Sequence, residues 1–260
     1  MELTAITYEV SEHIATITLD RPDALNSFDA AMAREMVWAW ESVRDDGDVH
    51  VVVLQANGER AFCSGLDLRQ DTDWFMRDNV WNSFDPGALL GPKLEHKVWK
   101  PVVVAAHGMV AGGAQYFLNE ADIIICSEDA TFFDPHASAG IVSALEPIGM
   151  IARGMNVGEV LRWALMGSEE RITADTALRI GLVSEVVAGD PAVDLRHRAR
   201  AIAATIAGRN PRAIQGTVRA IWESLDMTRT TALQNGLSYT LIGNEGFDGS
   251  PGAKAPTTYR

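Results

Sequence analysis

The chain has 260 residues, 47% hydrophobic and 22% charged, which is material for one large α/β domain or a core with a small appendage. Its 22 Lys+Arg against 35 Asp+Glu give a net charge of −13 with the basic residues scattered, a balance that argues against nucleic acid and anionic membranes as partners. Cys63 and Cys126 make neither a disulfide framework nor a metal ladder, the first residues lack a secretory pattern, and no apolar run nears the roughly 18 residues that span a bilayer. The expectation is a soluble, cytoplasmic protein without a metal.

Period-two alternation predicts a strand through Ile6, Tyr8 and Val10 and a second over Ile14 to Leu19, turning at Glu12–His13. From Asp29 the period becomes helical. Met32, Met36, Val37, Trp40 and Val43 share a face, with Asp29 as the cap. Three unbroken apolar runs, Val51–Leu54, Val102–Ala106 and Ile123–Cys126, suit strands buried on both faces of a parallel sheet, and the repeated strand–helix–strand order says α/β. Between the first two runs, residues 71–99 have no clean period and carry Trp74, Phe75, Trp81 and Phe84, rings that either wall a pocket or complete the core.

Beyond about residue 155 the pattern is mostly helical. Ala174–Ile180 ends at Gly181, and Leu195, Ala199, Ile202 and Ile206 form a stripe. Asn210–Pro211 opens a helix with Ile214, Val218 and Ile221, and Leu233, Leu237 and Leu241 mark a last one. From Gly243 a Gly/Pro/Ser-rich tail either lies against a partner or is disordered. This divides the chain into a core, 1–195, and a C-terminal helical region and tail, 196–260.

The chain has no nucleophile elbow, zinc-protease helix, paired CxxC, P-loop or dinucleotide fingerprint. Two glycine-containing turns each follow a buried strand: Ala61-Phe62-Cys63-Ser64-Gly65-Leu66-Asp67-Leu68, and His107-Gly108-Met109-Val110-Ala111-Gly112-Gly113-Ala114 leading into a helix at Gln115–Asn119. Facing each other, they would offer two backbone N–H donors to one developing oxyanion.

With Arg21-Pro22-Asp23-Ala24-Leu25-Asn26-Ser27, Ala130-Thr131-Phe132-Phe133-Asp134-Pro135, and Arg171-Ile172 through Ala177 to Gly181-Leu182-Val183, these turns make five segments in order along nearly the whole chain. Together they resemble the crotonase, or enoyl-CoA hydratase/isomerase, family. The resemblance implies a β-β-α superhelical core, a C-terminal helical region used in forming a homotrimer or a dimer of trimers, and an acyl-CoA substrate. Coenzyme A would enter as part of that substrate, with no further cofactor. It also implies an oxyanion hole from the N–H groups of Leu66 and Gly113, with Ala24, Asp67 and Leu68 bordering the CoA moiety.

Two departures qualify what is carried over. Where the family's hydratases place their two glutamates, this chain has Tyr116 and His136. His136 is then the best-placed base, with Asp134 to orient it or serve only as a turn residue. Glu146, amid apolar neighbours, is either a second acid or a helix-start carboxylate. Tyr116, which donates a hydrogen bond to substrate or merely packs, is expected with Trp74 and Trp81 in the pocket wall. Isomerisation or an atypical hydration on a thioester enolate follows. The alternatives are a carbon–carbon hydrolase on a β-diketone using His136, and an inactive CoA-binding relative. Arg21, Arg60, Arg69 and Lys97 or Lys100 are candidate cations for CoA phosphates. Glu120, His13, His50, His96 and His197 are expected at the surface, His107 in a structural hydrogen bond, and Cys63 as an unactivated thiol.

Overall fold

The computed structural model describes residues 1–76, 81 and 85–244. β1 (Ile6–Ser11) and β2 (Ile14–Leu19) form the expected antiparallel hairpin, Ser11 pairing Ile14 across the turn. In α1 (Ala30–Asp45), Asp29 caps the first turn by accepting the Met32 N–H at 2.9 Å, and Met32, Met36, Trp40 and Val43 are buried. Val37 of the expected stripe is only half-buried.

A strand pair then repeats along the chain: β3 (Val51–Ala56) with β4 (Ala61–Cys63), β5 (Val102–Ala106) with β6 (Met109–Ala111), and β7 (Ile123–Ser127) with β8 (Thr131–Phe133). The short helix α2 (Asp73–Met76) lies between the first two pairs, and α3 (Gln115–Asn119) between the second and third. The first member of each pair enters a six-stranded sheet of order β1-β2-β3-β5-β7-β10, parallel from β2 onward. The second enters a four-stranded sheet of order β4-β6-β8-β9, antiparallel only at β8–β9. The remaining elements are α4 (Leu145–Ala152), α5 (Val157–Met166), β9 (Ile172–Thr173), α6 (Ala174–Ile180), β10 (Glu185–Val187), α7 (Arg196–Ala207), α8 (Pro211–Ser224) and α9 (Arg229–Gly243).

The unbroken apolar runs are explained by burial on both faces of the large sheet. On one face Val52, Leu54, Val102, Val104 and Ile124 join the main core with Trp40, Phe62, Phe117 and Phe132. On the other, Val51, Val53, Val103 and Ala105 meet Leu195, Ala199, Ala203 and Ala207. Alanines let α7 lie close to the strands, while Ile202 and Ile206 of the predicted stripe pack at its margin. No residue of α8 is fully buried, and Leu233, Leu237 and Leu241 of α9 face outward. α8 is tied to the core by Trp222, whose indole N–H donates to Asp122 at 2.7 Å.

Several surface expectations are corrected. His96 is buried, its Nε2 paired with the Leu89 carbonyl at 2.9 Å. Glu120 accepts the Lys93 and Leu94 backbone N–H groups, so it serves a turn rather than standing in solvent. His107 does make a structural contact, with the Gly58 carbonyl at 2.8 Å. The tail beyond Asn244 and Phe84 lie outside the described residues. Among the described residues, no helix is long and apolar enough to cross a membrane.

Candidate active site

The first turn follows β4. A parallel bridge to Phe28 orients it: the Phe28 N–H donates to Gly65 O at 2.8 Å, and the Asp67 N–H donates to Phe28 O at 2.9 Å. That pattern directs the intervening Leu66 N–H to the opposite side. Gly65 has φ +89°, open to glycine at little cost, and a Cβ there would lie 3.2 Å from Gly113 N and 2.9 Å from Ala111 O. The second turn follows β6. A Cβ on Gly113 would lie 3.8 Å from Leu66 N and 2.9 Å from the Phe28 ring. The Leu66 and Gly113 backbone nitrogens are therefore close neighbours, and neither N–H donates to an acceptor among the described residues.

The Arg21–Ser27 segment braces this arrangement. Asn26 donates to the Asn57 and Ala61 carbonyls at 2.8 and 2.9 Å, and the Ser64 N–H donates to Leu25 O at 3.1 Å. Asp67 is buried between Arg69, 2.9 Å from Oδ1, and Arg21, 3.0 Å from Oδ2. The hydrogen bonds from Arg69, aided by Arg21, outweigh the effect of burial and hold the carboxyl at a pKa of about 2. The Asp67 side chain thus locks the turn, while Ala24 is half-buried and Leu68 is 79% exposed beside it. Lys100, considered as a CoA cation, is instead buried under the carbonyls of Val43, Arg44 and Asp46 at the end of α1. Arg60 is exposed, and Lys97 donates to Leu94 O at 2.6 Å. The Cys63 thiol is pushed up to about 12 by burial, as an inert thiol should be.

The acid–base groups arrive from the end of β8 and the start of α4. A Cβ on Gly112 would lie 3.2 Å from Pro135 Cδ and 3.8 Å from His136 Cε1, so the imidazole stands beside the second turn. Its Nδ1 is 2.5 Å from Oδ1 of the fully buried Asp134. An ionised Asp134 assigns the proton to Nδ1 and leaves Nε2 as the base in neutral imidazole. The hydrogen bond to Asp134 raises the His136 pKa, against the effect of burial. For Asp134 burial acts upward, but the His136 bonds and the nearby Ser143 hydroxyl bring it below its ordinary value. Ser143 Oγ and Asp134 Oδ2 are not in hydrogen-bond geometry with each other.

Glu146 is the second residue of α4 and is buried. Its carbonyl accepts from Asn119 Nδ2 at 2.9 Å, and Gln115 Nε2 donates to Asn119 Oδ1 at 2.9 Å, so α3 fixes the start of α4. Burial raises the Glu146 pKa, and the charges of Asp134 and Asp85 add to the rise while His136 opposes it. The structure places Glu146 at the start of the helix, with a pKa raised by burial. Tyr116 on α3 is buried and packs on the backbone of Gly87, where a Cβ would meet its ring at 2.1 Å.

Of the two readings of the aromatic stretch, Trp74 and Phe75 follow the second and pack against the main core. Trp74 packs edge-on to Phe75 at 5.4 Å, and Phe75 lies 5.8 Å from Phe28, the ring against Gly113. Trp81 is 90% exposed. Asp85 escaped sequence reading altogether. In Asp85-Pro86-Gly87 it looks like a turn former, yet it faces Tyr116 and Glu146, and burial raises its pKa.

Two sheets built from paired strands, two glycine turns brought side by side and a histidine–carboxylate pair next to them make up the candidate site. The chain belongs to the enoyl-CoA hydratase/isomerase family, whose model matches residues 9–241. It is 32% identical to an (E)-benzylidenesuccinyl-CoA hydratase of Thauera aromatica, over 90% of this chain and 87% of that one. It is also 32% identical to a carnitinyl-CoA dehydratase of Salmonella arizonae, over 89% of this chain and 84% of that one. The crystal structure of an enoyl-CoA hydratase/isomerase from Mycobacterium paratuberculosis superposes with TM-score 0.82 at 34% identity, covering 95% and 92% of the two chains. The α/β crotonase-like fold and the acyl-CoA class of substrate expected from the sequence both hold.

Proposed function

We propose that the chain adds water to, or removes it from, a CoA thioester through an enolate held by Leu66 and Gly113. The observation that carries this reading is the His136 imidazole beside Gly112, one residue from the second oxyanion donor. The thioester oxygen accepts from the two N–H groups, which strengthen as charge develops on it. His136 Nε2 takes a proton from water as the oxygen bonds to Cβ, and Asp134 stabilises the resulting imidazolium. Glu146, favoured in its neutral form by burial, then protonates Cα. Dehydration runs the same steps backwards: Glu146 removes the α-proton and His136 protonates the departing hydroxyl. These transfers need no further cofactor, and CoA is part of the substrate, bordered by Ala24, Asp67 and Leu68.

The replacement of both family glutamates, by Tyr116 and His136, supports a second reading in which a single acid/base migrates the double bond. Mass spectrometry of products from 2-enoyl- and 3-enoyl-CoA esters in ¹⁸O-labelled, deuterated water separates the two. Oxygen label at C3 is the expected result. Deuterium exchange with bond migration and no ¹⁸O would replace hydration by isomerisation. Silence across the panel, with turnover of a β-diketone, would point to carbon–carbon hydrolysis; acyl-CoA binding with no turnover of either would mark an inactive relative. The exposed Ile141, Val142, Ile148, Leu161 and Leu165 support assembly as a homotrimer or a dimer of trimers, which light scattering of the eluted protein tests.

A further inference from the structure

Gly87 lies flat against the hydroxyl-bearing end of Tyr116: a Cβ on it would be 2.1 Å from Cζ. The Gly87 N–H in turn donates to Asp85 Oδ1 at 2.9 Å. The turn thereby brings a carboxylate to the phenol, and the two side chains pair there. A phenol has one proton to give, and an ionised carboxylate can only accept. Committed to Asp85, the Tyr116 O–H leaves only its oxygen lone pairs for anything in the site. That reverses the donor role expected of Tyr116. Such an oxygen can hold a water, or a hydroxyl on a substrate, by accepting its hydrogen.

We propose that Asp85 is a positioning residue that makes Tyr116 the hydrogen-bond acceptor for the water or hydroxyl exchanged in the reaction. The inference rests on the hydration–dehydration reading above. Four segments surround this pair, among them the end of α3, where Glu120 feels the charge of Asp85. Glu146 faces it from α4, with His136 and Asp134 behind it from the segment after β8, and the Gly87 and Ala88 N–H groups face Asp85 from its own turn. Asp85 also raises the Glu146 pKa, so a change at Asp85 has both a geometric and an electrostatic consequence.

Steady-state kinetics across pH, on a 2-enoyl-CoA ester that the unaltered enzyme hydrates, separates the two consequences. Tyr116→Phe lowers kcat about tenfold or more by leaving the exchanged oxygen unheld, with KM changed less than about threefold. Asp85→Ala produces a similar fall alone but adds little in the Tyr116→Phe background, because one interaction is lost once. Asp85→Asn keeps an acceptor oxygen and restores most of the rate lost in Asp85→Ala. Without the charge, its Glu146-dependent pH limb moves to lower pH. Additive losses, a change confined to KM, or unmoved rates and limbs in these variants would overturn the proposal. If His136→Gln and Glu146→Gln abolish turnover while the Asp85 and Tyr116 variants do not alter it, only this inference fails. If His136→Gln leaves hydration intact, the hydration mechanism itself fails first. Asp85→Asn is nearly isosteric and keeps the test available should Asp85→Ala not fold.

Discussion

The turns at Gly65–Leu66 and Gly112–Gly113 offer the candidate site backbone N–H groups, whereas the segment from Asp134 to Glu146 offers it titratable side chains. The first region is braced from all sides: Phe28 bridges one turn, Asn26 and Ser64 tie it to Arg21–Ser27, and Asp67 pins it with two arginines. The second joins a buried Asp134 to a buried Glu146 through residues 137–142, all of which are exposed. The proposed oxyanion role would require donors that do not reorganise as charge develops, which suits a braced backbone. The proposed proton transfers would require groups with tuned affinities, which suits partial burial beside charged neighbours.

Substitutions that touch one region and spare the other test this contrast. In the first region the test is Gly113→Ala, whose Cβ would meet the Phe28 ring at 2.9 Å and shift the N–H. A fall in kcat of about 10²- to 10³-fold should appear, the range of one lost oxyanion donor, with thermal unfolding as the control for folding. His136→Gln should lower kcat by about 10²- to 10⁴-fold while acyl-CoA binding, read by calorimetry, is retained.

Glu146→Gln sharpens the comparison through pH. In hydration Glu146 must be protonated, so the rate falls as pH rises through its raised pKa, and His136 must be neutral, so the rate climbs through its own raised pKa. The variant should lose the falling limb and keep the rising one in whatever activity remains. A profile that keeps both limbs would remove Glu146 from the mechanism.

Asp67→Asn probes the brace. The carboxyl is held at about 2, below its ordinary 3.8, so its contribution to stability is present above the ordinary value and is lost as pH falls through about 2. Breaking its bonds should cost about 1–3 kcal/mol near neutral pH. Urea unfolding at several pH values should show the two proteins converging on acidification. Leu66→Ala should have the smallest effect, about two- to threefold in kcat, because position 66 contributes its N–H and not its side chain.

The scaffold was largely legible from the sequence, and its reasons are local. Unbroken valine and isoleucine runs report strands covered on both faces, Asp29 and Asn210 report helix starts, and the paired glycines at 112 and 113 report a backbone approached closely. The acid–base region was legible only in part. His136 and Glu146 were visible through a resemblance and their chemistry, but nothing in their spacing says that α3 holds the start of α4 through Asn119. His96, expected at the surface, and Lys100, considered for CoA, are both turned inward to backbone carbonyls: His96 to that of Leu89, and Lys100 to the distant end of α1.

The sequence by itself determined the order of the strands, the caps, and the turns whose conformations depend on one or two residues and their immediate neighbours. Only the tertiary structure decided which side chains share the site. Asp85 reaches Tyr116 through the packing of Gly87, Glu146 acquires its raised pKa from burial and from Asp134 and Asp85, and Trp81 stands exposed while Trp74 packs on the core. Local conformational preferences act over a few residues along the chain. Desolvation and charge act through space, and they are fixed only once the long-range contacts have closed.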